Sequence, residues 1–391
     1  MSGNLTTPTL AGNKAASPTP RIALQLGGGG ARSAYQVGVL RAIARHHPNL
    51  QIPLMTGVSA GAINIAHLAN HTGTFREQVD ALADLWRILR LNNVFSTSGL
   101  GLIWRALRIG VRLSLGLPPG VRGPHGMVDT QPLREFLRRA LRTSDGSLPG
   151  ITQNIEQGRL DAVALTALSY GTGHTVTFVQ GQEISTWERP LRRSAKTQLT
   201  VEHIMASAAL PLFFPPVQIG EDWYGDGGVR LVAPLGPSLH LGADRILAIS
   251  NHYMGGSNDL RPVNEPPSPA TIMGALYNAI FLDHLDQDVW QMQQINNLVR
   301  ELPSEKRHEM RNVRLLVVRP SEDLGALAYD LKDELPRTFR HLLNRFGTGQ
   351  VRSQDFLSTV LFHPAFIERL MEIGDRDGES MASELREFLE P

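Results

Sequence analysis

The chain has 391 residues, of which 42% are hydrophobic and 19% charged, enough apolar content to bury a sizeable core. Its 38 basic and 37 acidic side chains leave a formal charge of +1, which argues against a nucleic-acid binder or other polyanion partner. It contains no cysteine, which excludes disulfides, thiol catalysis and cysteine-ligated metals.

Residues 1–20 are rich in Ser, Thr, Pro, Gly and Asn and read as a disordered leader without the charged start and apolar run of a signal peptide. No uncharged apolar run reaches the roughly 18 residues needed to span a bilayer, so the chain is expected in the cytoplasm or at a membrane periphery. Arg21–Leu26 is an apolar run ending in four glycines, which predicts a buried parallel strand. A helix is expected from about Arg32, with Ala34, Val37, Leu40 and Ala44 on one face. Gln51–Thr56 predicts a second strand closed by Gly57, and a second helix starts near Ala60. Strand, glycine loop, helix, strand, sharp turn, helix is the opening of a parallel sheet covered by helices.

Further along, residues 75–91 and 130–142 read as helices, and Leu160–Leu168 and His174–Val179 as strands joined by a Gly-Thr-Gly turn. Val201–Ala209 is a short helix halted by Pro211, and Trp223–Gly228 a strand entering a tight turn. Arg245–Ser250 and Val313–Val318 are apolar strands with a helical region from about Ala270 to Val299 between them. A final helix is expected over Ser353–Glu372. The Pro-rich stretch Pro262–Pro269 reads as a loop, so one domain is expected, followed by an acidic C-terminal tail over residues 376–391.

Charge is unevenly spread. No Asp or Glu precedes Glu77, and residues 86–142 hold ten arginines against Asp129 and Glu135. Within that block Arg105, Arg108 and Arg112 form a stripe beside Leu100, Ile103, Trp104, Leu107, Val111 and Leu115. Such a helix suits peripheral contact with an anionic membrane or a cover over an active-site mouth; it also reads as a buried helix whose arginines snorkel to solvent.

Gly57-Val58-Ser59-Ala60-Gly61 is a Gly-x-Ser-x-Gly pattern between a predicted strand and a predicted helix, the setting in which a serine projects from a strained turn as a nucleophile. The same five residues also suit an ordinary strand–turn–helix junction with a capping serine. Gly27–Gly30, with Ala31 and Arg32, leaves successive backbone N–H groups unobstructed at a helix start, an anion site. A dinucleotide fingerprint fails there, because Gly-x-Gly-x-x-Gly ends on Arg32 or Ser33 and no acid follows before Glu77. A Walker loop fails because Lys14, Lys196, Lys306 and Lys332 are the only lysines and none stands behind it. An oxyanion hole remains, and no cofactor is called for.

A serine nucleophile needs a base, and any carboxylate must come from downstream. Asp226, in Asp-Gly-Gly at a strand end, has the small neighbours that permit close approach, though the tripeptide also makes a plain turn. His240, His252 and His284 are the histidines available to a conventional triad. His67 and His71 are four apart on the second helix, but Leu68 stands where the zincin pattern needs Glu, so no metal site is expected.

In order, Gly-Gly-Gly-Ala-Arg, Gly-Val-Ser-Ala-Gly and Asp-Gly-Gly, with Ala206-Ser-Ala-Ala-Leu-Pro-Leu-Phe-Phe-Pro-Pro216 before the last, resemble the patatin-like phospholipase family from about Arg21 to the final helix. The resemblance implies a three-layer α/β/α domain over residues 21–375 with a mainly parallel sheet. It also implies a serine esterase or lipase of phospholipase or lysophospholipase type, acting on phospholipids or other acyl lipids through an acyl-enzyme. Ser59 would be the nucleophile, Asp226 the general base, and the N–H groups of Gly28, Gly29 and Gly30 the oxyanion hole. Arg32 would meet a substrate phosphate or serve a structural role. Ser33 stands where the family usually has glycine, which costs up to about 1 kcal/mol if the position needs a positive φ. Two other readings of the same residues are an α/β-hydrolase with a Ser–His–acid triad and a catalytically silent lipid-binding or regulatory module.

Overall fold

The computed structural model describes residues 20–96, 126, 128–255, 280, 284–307, 310–331 and 354–390. The leader over 1–19, the Arg105–Arg108–Arg112 stripe, the Pro262–Pro269 loop and most of the helix expected before His284 lie outside the described residues. At its centre is strand β1 (Ile22–Leu26), all five residues buried. Its side chains alternate between two cores, as the period of two in a pleated strand requires. Leu24 and Leu26 join one cluster with Leu40, Leu82 and Phe366, whereas Ala23 joins another with Leu235, Ile246 and Val289. Helices must therefore cover both faces, and a three-layer α/β/α arrangement follows.

Strand β2 (Leu54–Val58) pairs in parallel with β1, and β3 (Ala162–Ser169) in parallel with β2. Beyond β3 stand β4 (Thr175–Gly181), β5 (Glu188–Arg189) and β6 (Arg192–Lys196), and β7 (Val217–Ile219) pairs with β8 (Asp222–Asp226). On the other side of β1 lie β9 (Arg245–Ile249) and then β10 (Arg314–Val318). The order is β10-β9-β1-β2-β3-β4-β6-β5, with the first five strands parallel and β3–β4 and β3–β8 antiparallel. The expected mainly parallel sheet is present, with its antiparallel pairings gathered at one end.

The covering helices include α1 (Ala34–His46), entered through a 3-10 turn at Gly30–Ser33, α2 (Ala60–Asn70), α3 (Phe75–Ile88) and α4 (Gln131–Ala140). Next come α5 (Val201–Ser207), α6 (Gly236–His240) and α7 (His284–Glu301). The chain closes with α8 (Gln354–Val360), α9 (Pro364–Ser380) and α10 (Ala382–Leu389). Among the described residues no helix is long and apolar enough to cross a membrane.

Three expectations need correcting. The second strand does not stop at Thr56: Gly57 pairs with Leu26 and Leu165, carrying β2 to Val58. The final helix is broken, because Pro364 lacks the N–H that would continue α8 and instead occupies the first turn of α9. Residues 376–390 of the expected acidic tail are not free. They finish α9 and form α10, which buries Leu385, Phe388 and Leu389 on one side and leaves its acidic residues on the other.

Candidate active site

Ser59 stands between the last residue of β2 and the first of α2, with φ 55° and ψ −130°. That backbone region is sparsely populated for any side chain other than glycine, and it persists only where surrounding contacts hold it. Two of them are visible. The Ser59 N–H donates to Ser207 Oγ at 3.0 Å, and that hydroxyl donates to the Thr166 carbonyl at 2.6 Å, so a fully buried serine from α5 ties the turn to β3. On the other flank Gly28 lies against the nucleophile candidate: a Cβ there would stand 2.8 Å from Ser59 Cβ, closer than any real contact.

The glycine loop is held by its carbonyls. Gln36 Nε2 donates to Gly27 O at 2.9 Å and Asn251 Nδ2 to Gly28 O at 2.8 Å. Across a trans peptide the N–H points away from the C=O, so these bonds direct the N–H groups of Gly28 and Gly29 away from the two amides. None of the N–H groups of Gly28, Gly29 and Gly30 has a protein acceptor among the described residues. Ser33 has φ −68°, a helical value at which serine is unstrained. Its hydroxyl accepts a second bond from Asn251 at 3.1 Å, so the residue that departs from the family pattern adds a tie to the loop. Arg32 is buried and its Nε donates to Ser358 Oγ at 2.5 Å, and neither residue lines the cavity beside Ser59.

Sheet register brings Asp226 to the same place. Val58 pairs with Thr166 across β2–β3, and the next residue of β3, Ala167, pairs with Asp226 across β3–β8. Asp226 is fully buried. Its Oδ1 accepts the Gly228 N–H at 2.8 Å, while Oδ2 has no hydrogen-bond partner in this conformation. Burial raises the carboxyl from 3.8 to about 7, opposed by interaction with the Ser59 hydroxyl and by the Gly228 bond. Ser59 is therefore close enough to influence the carboxylate without being aligned into a full hydrogen bond, as is common before a substrate tightens a site.

None of the three triad histidines hydrogen-bonds Ser59. His240 stacks on Trp187 with centroids 4.9 Å apart and is lowered to about 4 by burial, aided by Arg189 and Arg192. His252 pairs with Asp286 at 2.8 Å, which Arg319 also engages, and His284 begins α7. His67 is buried with both ring nitrogens unbonded and is lowered to about 4, chiefly by burial.

Ser59 and Gly30 border an apolar cavity of about 60 Å³. Its walls include Ile63, Leu85, Trp86, Phe136, Leu210, Phe214, Thr359 and Phe362, which come from α2, α3, α4, the segment after α5, and α8 with its exit. The sequence reading missed Gln36, Ser207, Asn251 and Thr359. Ser207 lies inside the quoted 206–216 segment, and Asn251 directly follows an apolar strand; those positions were the only signals.

The family model for Patatin-like phospholipase matches residues 24–238. No curated protein matches the sequence. Among solved structures, a human GIVD cytosolic phospholipase A2 in complex with methyl gamma-linolenyl fluorophosphonate and terbium chloride is 14% identical, with a TM-score of 0.45. That similarity covers 95% of this chain and 59% of the human chain, so this chain spans about three-fifths of its length. VipD from Legionella pneumophila is 12% identical over 88% of this chain and 67% of its own, at a TM-score of 0.36. ExoU, in its complex with SpcU from the Pseudomonas aeruginosa type III secretion system, is 16% identical over 87% and 68%, at 0.30.

Proposed function

The chain belongs to the patatin-like phospholipase family, and from that premise we propose that it hydrolyses carboxylic esters of phospholipids or other acyl lipids through a Ser59–Asp226 dyad. The observation that carries this reading is the buried Asp226 carboxyl, raised to about 7, with one oxygen unpaired beside a serine on a strained turn. An ordinary Asp, near 3.9, is too weak a base to take a proton from a serine hydroxyl; one poised near neutrality is matched to the task.

In this mechanism Ser59 Oγ attacks the ester carbonyl while Asp226 Oδ2 accepts its proton. The carbonyl oxygen becomes negative and is met by the N–H groups of Gly28, Gly29 and Gly30, donors of a kind worth roughly 10²–10³ each in rate. Collapse expels the alcohol, which takes the proton back from Asp226, and leaves Ser59 acylated. Water, deprotonated by the same carboxylate, then releases the acid and restores the serine. The apolar cavity beside Ser59 would take the acyl chain, and no cofactor enters any step.

Covalent labelling with a fluorophosphonate probe tests the dyad. Wild type should label, and Ser59→Ala and Asp226→Asn should not. Labelling that survives in folded Asp226→Asn would transfer the role of base to a histidine, His252 with its Asp286 partner first. No labelling of folded wild type would favour the silent lipid-binding module.

A further inference from the structure

Trp86 is a wall of the cavity that Ser59 borders, but it is also the first member of a buried polar chain. Its indole N–H donates to Asn64 Oδ1 at 2.7 Å. Asn64 Nδ2 donates in turn to Gln36 Oε1 at 2.9 Å and to the Ser33 carbonyl at 3.2 Å. Gln36 Nε2 donates to Gly27 O at 2.9 Å, the carbonyl of the peptide that carries the Gly28 N–H. Trp86 is 2% exposed, and Asn64, Gln36 and Ser33 are fully buried.

The chain has a sense. An indole nitrogen can only donate, so it fixes which end of the Asn64 amide faces it. That leaves the Asn64 NH₂ to face Gln36, which fixes the Gln36 amide and leaves its NH₂ for Gly27. Reversing either amide would set donor against donor and acceptor against acceptor in a dry interior, at a cost in unpaired groups. The Gly27 end of the glycine loop is therefore linked to the indole through three hydrogen bonds of fixed sense. The indole is positioned in turn by the cavity: it stacks on Phe362 with centroids 6.5 Å apart, and the space left is about 60 Å³. On that measure one water needs about 10–15 Å³, so the cavity takes only a few heavy atoms and a longer acyl chain must press on these walls.

We propose that Trp86 senses the acyl chain, and that Asn64 and Gln36 are positioning residues which pass its placement to the Gly27–Gly28 peptide, so that a chain reaching Trp86 accelerates the chemical step as well as tightening binding. The proposal rests on the ester-hydrolase reading above and adds to it a chain-length preference expressed in kcat. Binding energy from a remote, non-reacting part of a substrate raises kcat only when it is spent on the reacting centre, and this polar chain is the physical link.

The test is steady-state turnover of monomeric p-nitrophenyl esters from acetyl to dodecanoyl by wild type, Trp86→Phe and Gln36→Met. Trp86→Phe keeps an aromatic wall, deletes the donor and opens the cavity slightly; Gln36→Met keeps the whole wall and cuts the chain at its far end. Wild-type kcat should rise by roughly tenfold from acetyl to the mid-length esters, part of what one oxyanion donor is worth. In both variants that rise should flatten to within about twofold while KM still falls with chain length, because the cavity stays apolar. A merely structural role would lower kcat alike at every length. A wild type with flat kcat, or folded variants that keep its slope, would overturn the proposal. If one variant fails to fold, the other carries the same readout. Absence of both ester turnover and fluorophosphonate labelling in wild type would instead sink the hydrolase reading itself.

Discussion

Asp226 is pulled in two directions by the same burial, and the two are separable by pH. Its protonated form suits the folded interior, and its ionised form is the one the proposed dyad needs. Because its folded pKa is raised, the stability it contributes is full below about 3.8 and is lost as pH climbs through about 7. Activity should run the opposite way: kcat/KM for a soluble ester should rise with one ionisation near 7 as the base loses its proton. Asp226→Asn should abolish turnover and, in urea melts, be more stable than wild type at pH 8 by roughly 1–4 kcal/mol, a gain that shrinks toward pH 4. Wild type and variant falling in parallel over that range would remove the perturbed carboxyl. At this scale the sequence was legible where residues sit in a motif: Ser59 and Asp226 stand beside glycines that only a close approach explains. Ser207, Asn64 and Asn251 were not, because a serine or an amide has many uses and their partners stand on other segments, from 22 to 223 residues away. Ser207 is 148 residues from the N–H it accepts.

Elements as well as residues hold the glycine loop. Helix α1 leaves that loop and packs along α9, which lies more than 300 positions later in the sequence. At the crossing the backbones nearly touch: a Cβ on Gly38 would stand 2.1 Å from the Met371 carbonyl oxygen. Gly38→Ala must therefore push the helices apart, and should cost about 2–3 kcal/mol in chemical denaturation despite the better helix propensity of alanine. A neutral or stabilising result would mean that α9 is not seated on α1 as described. Tyr35 and Asp377, hydrogen-bonded at 3.1 Å within the same contact, lie on the same two helices. The helical spacing of Ala34, Val37, Leu40 and Ala44 predicted α1, although the helix is buried on every side over its first seven residues. Spacing could not predict the partner, and it ran α8 and α9 together because only three residues separate them and Pro364 begins the second.

Across the whole molecule, the early strands and helices were legible because each strand–loop–helix unit carries its own punctuation. The sheet order was not, since β1 lies between β2 and β9, and β9 begins some 220 residues downstream. The family match stops at residue 238, yet β9, β10 and α8–α10 finish both the sheet and the site. A chain cut after residue 350 should therefore lose Ser358, Thr359 and Phe362 from around the loop and cavity. It should show no cooperative melt and no fluorophosphonate labelling; retention of both would make the C-terminal helices an accessory. This arrangement also bears on how the protein is made. The serine and the glycine loop leave the ribosome early, whereas Thr359, whose carbonyl oxygen lies 2.2 Å from where a Cβ on Gly30 would stand, follows roughly 300 residues later, on the order of 15–60 s at ordinary synthesis rates. On the proposed reading, this order of synthesis should withhold ester hydrolysis from the growing chain until its last helices dock.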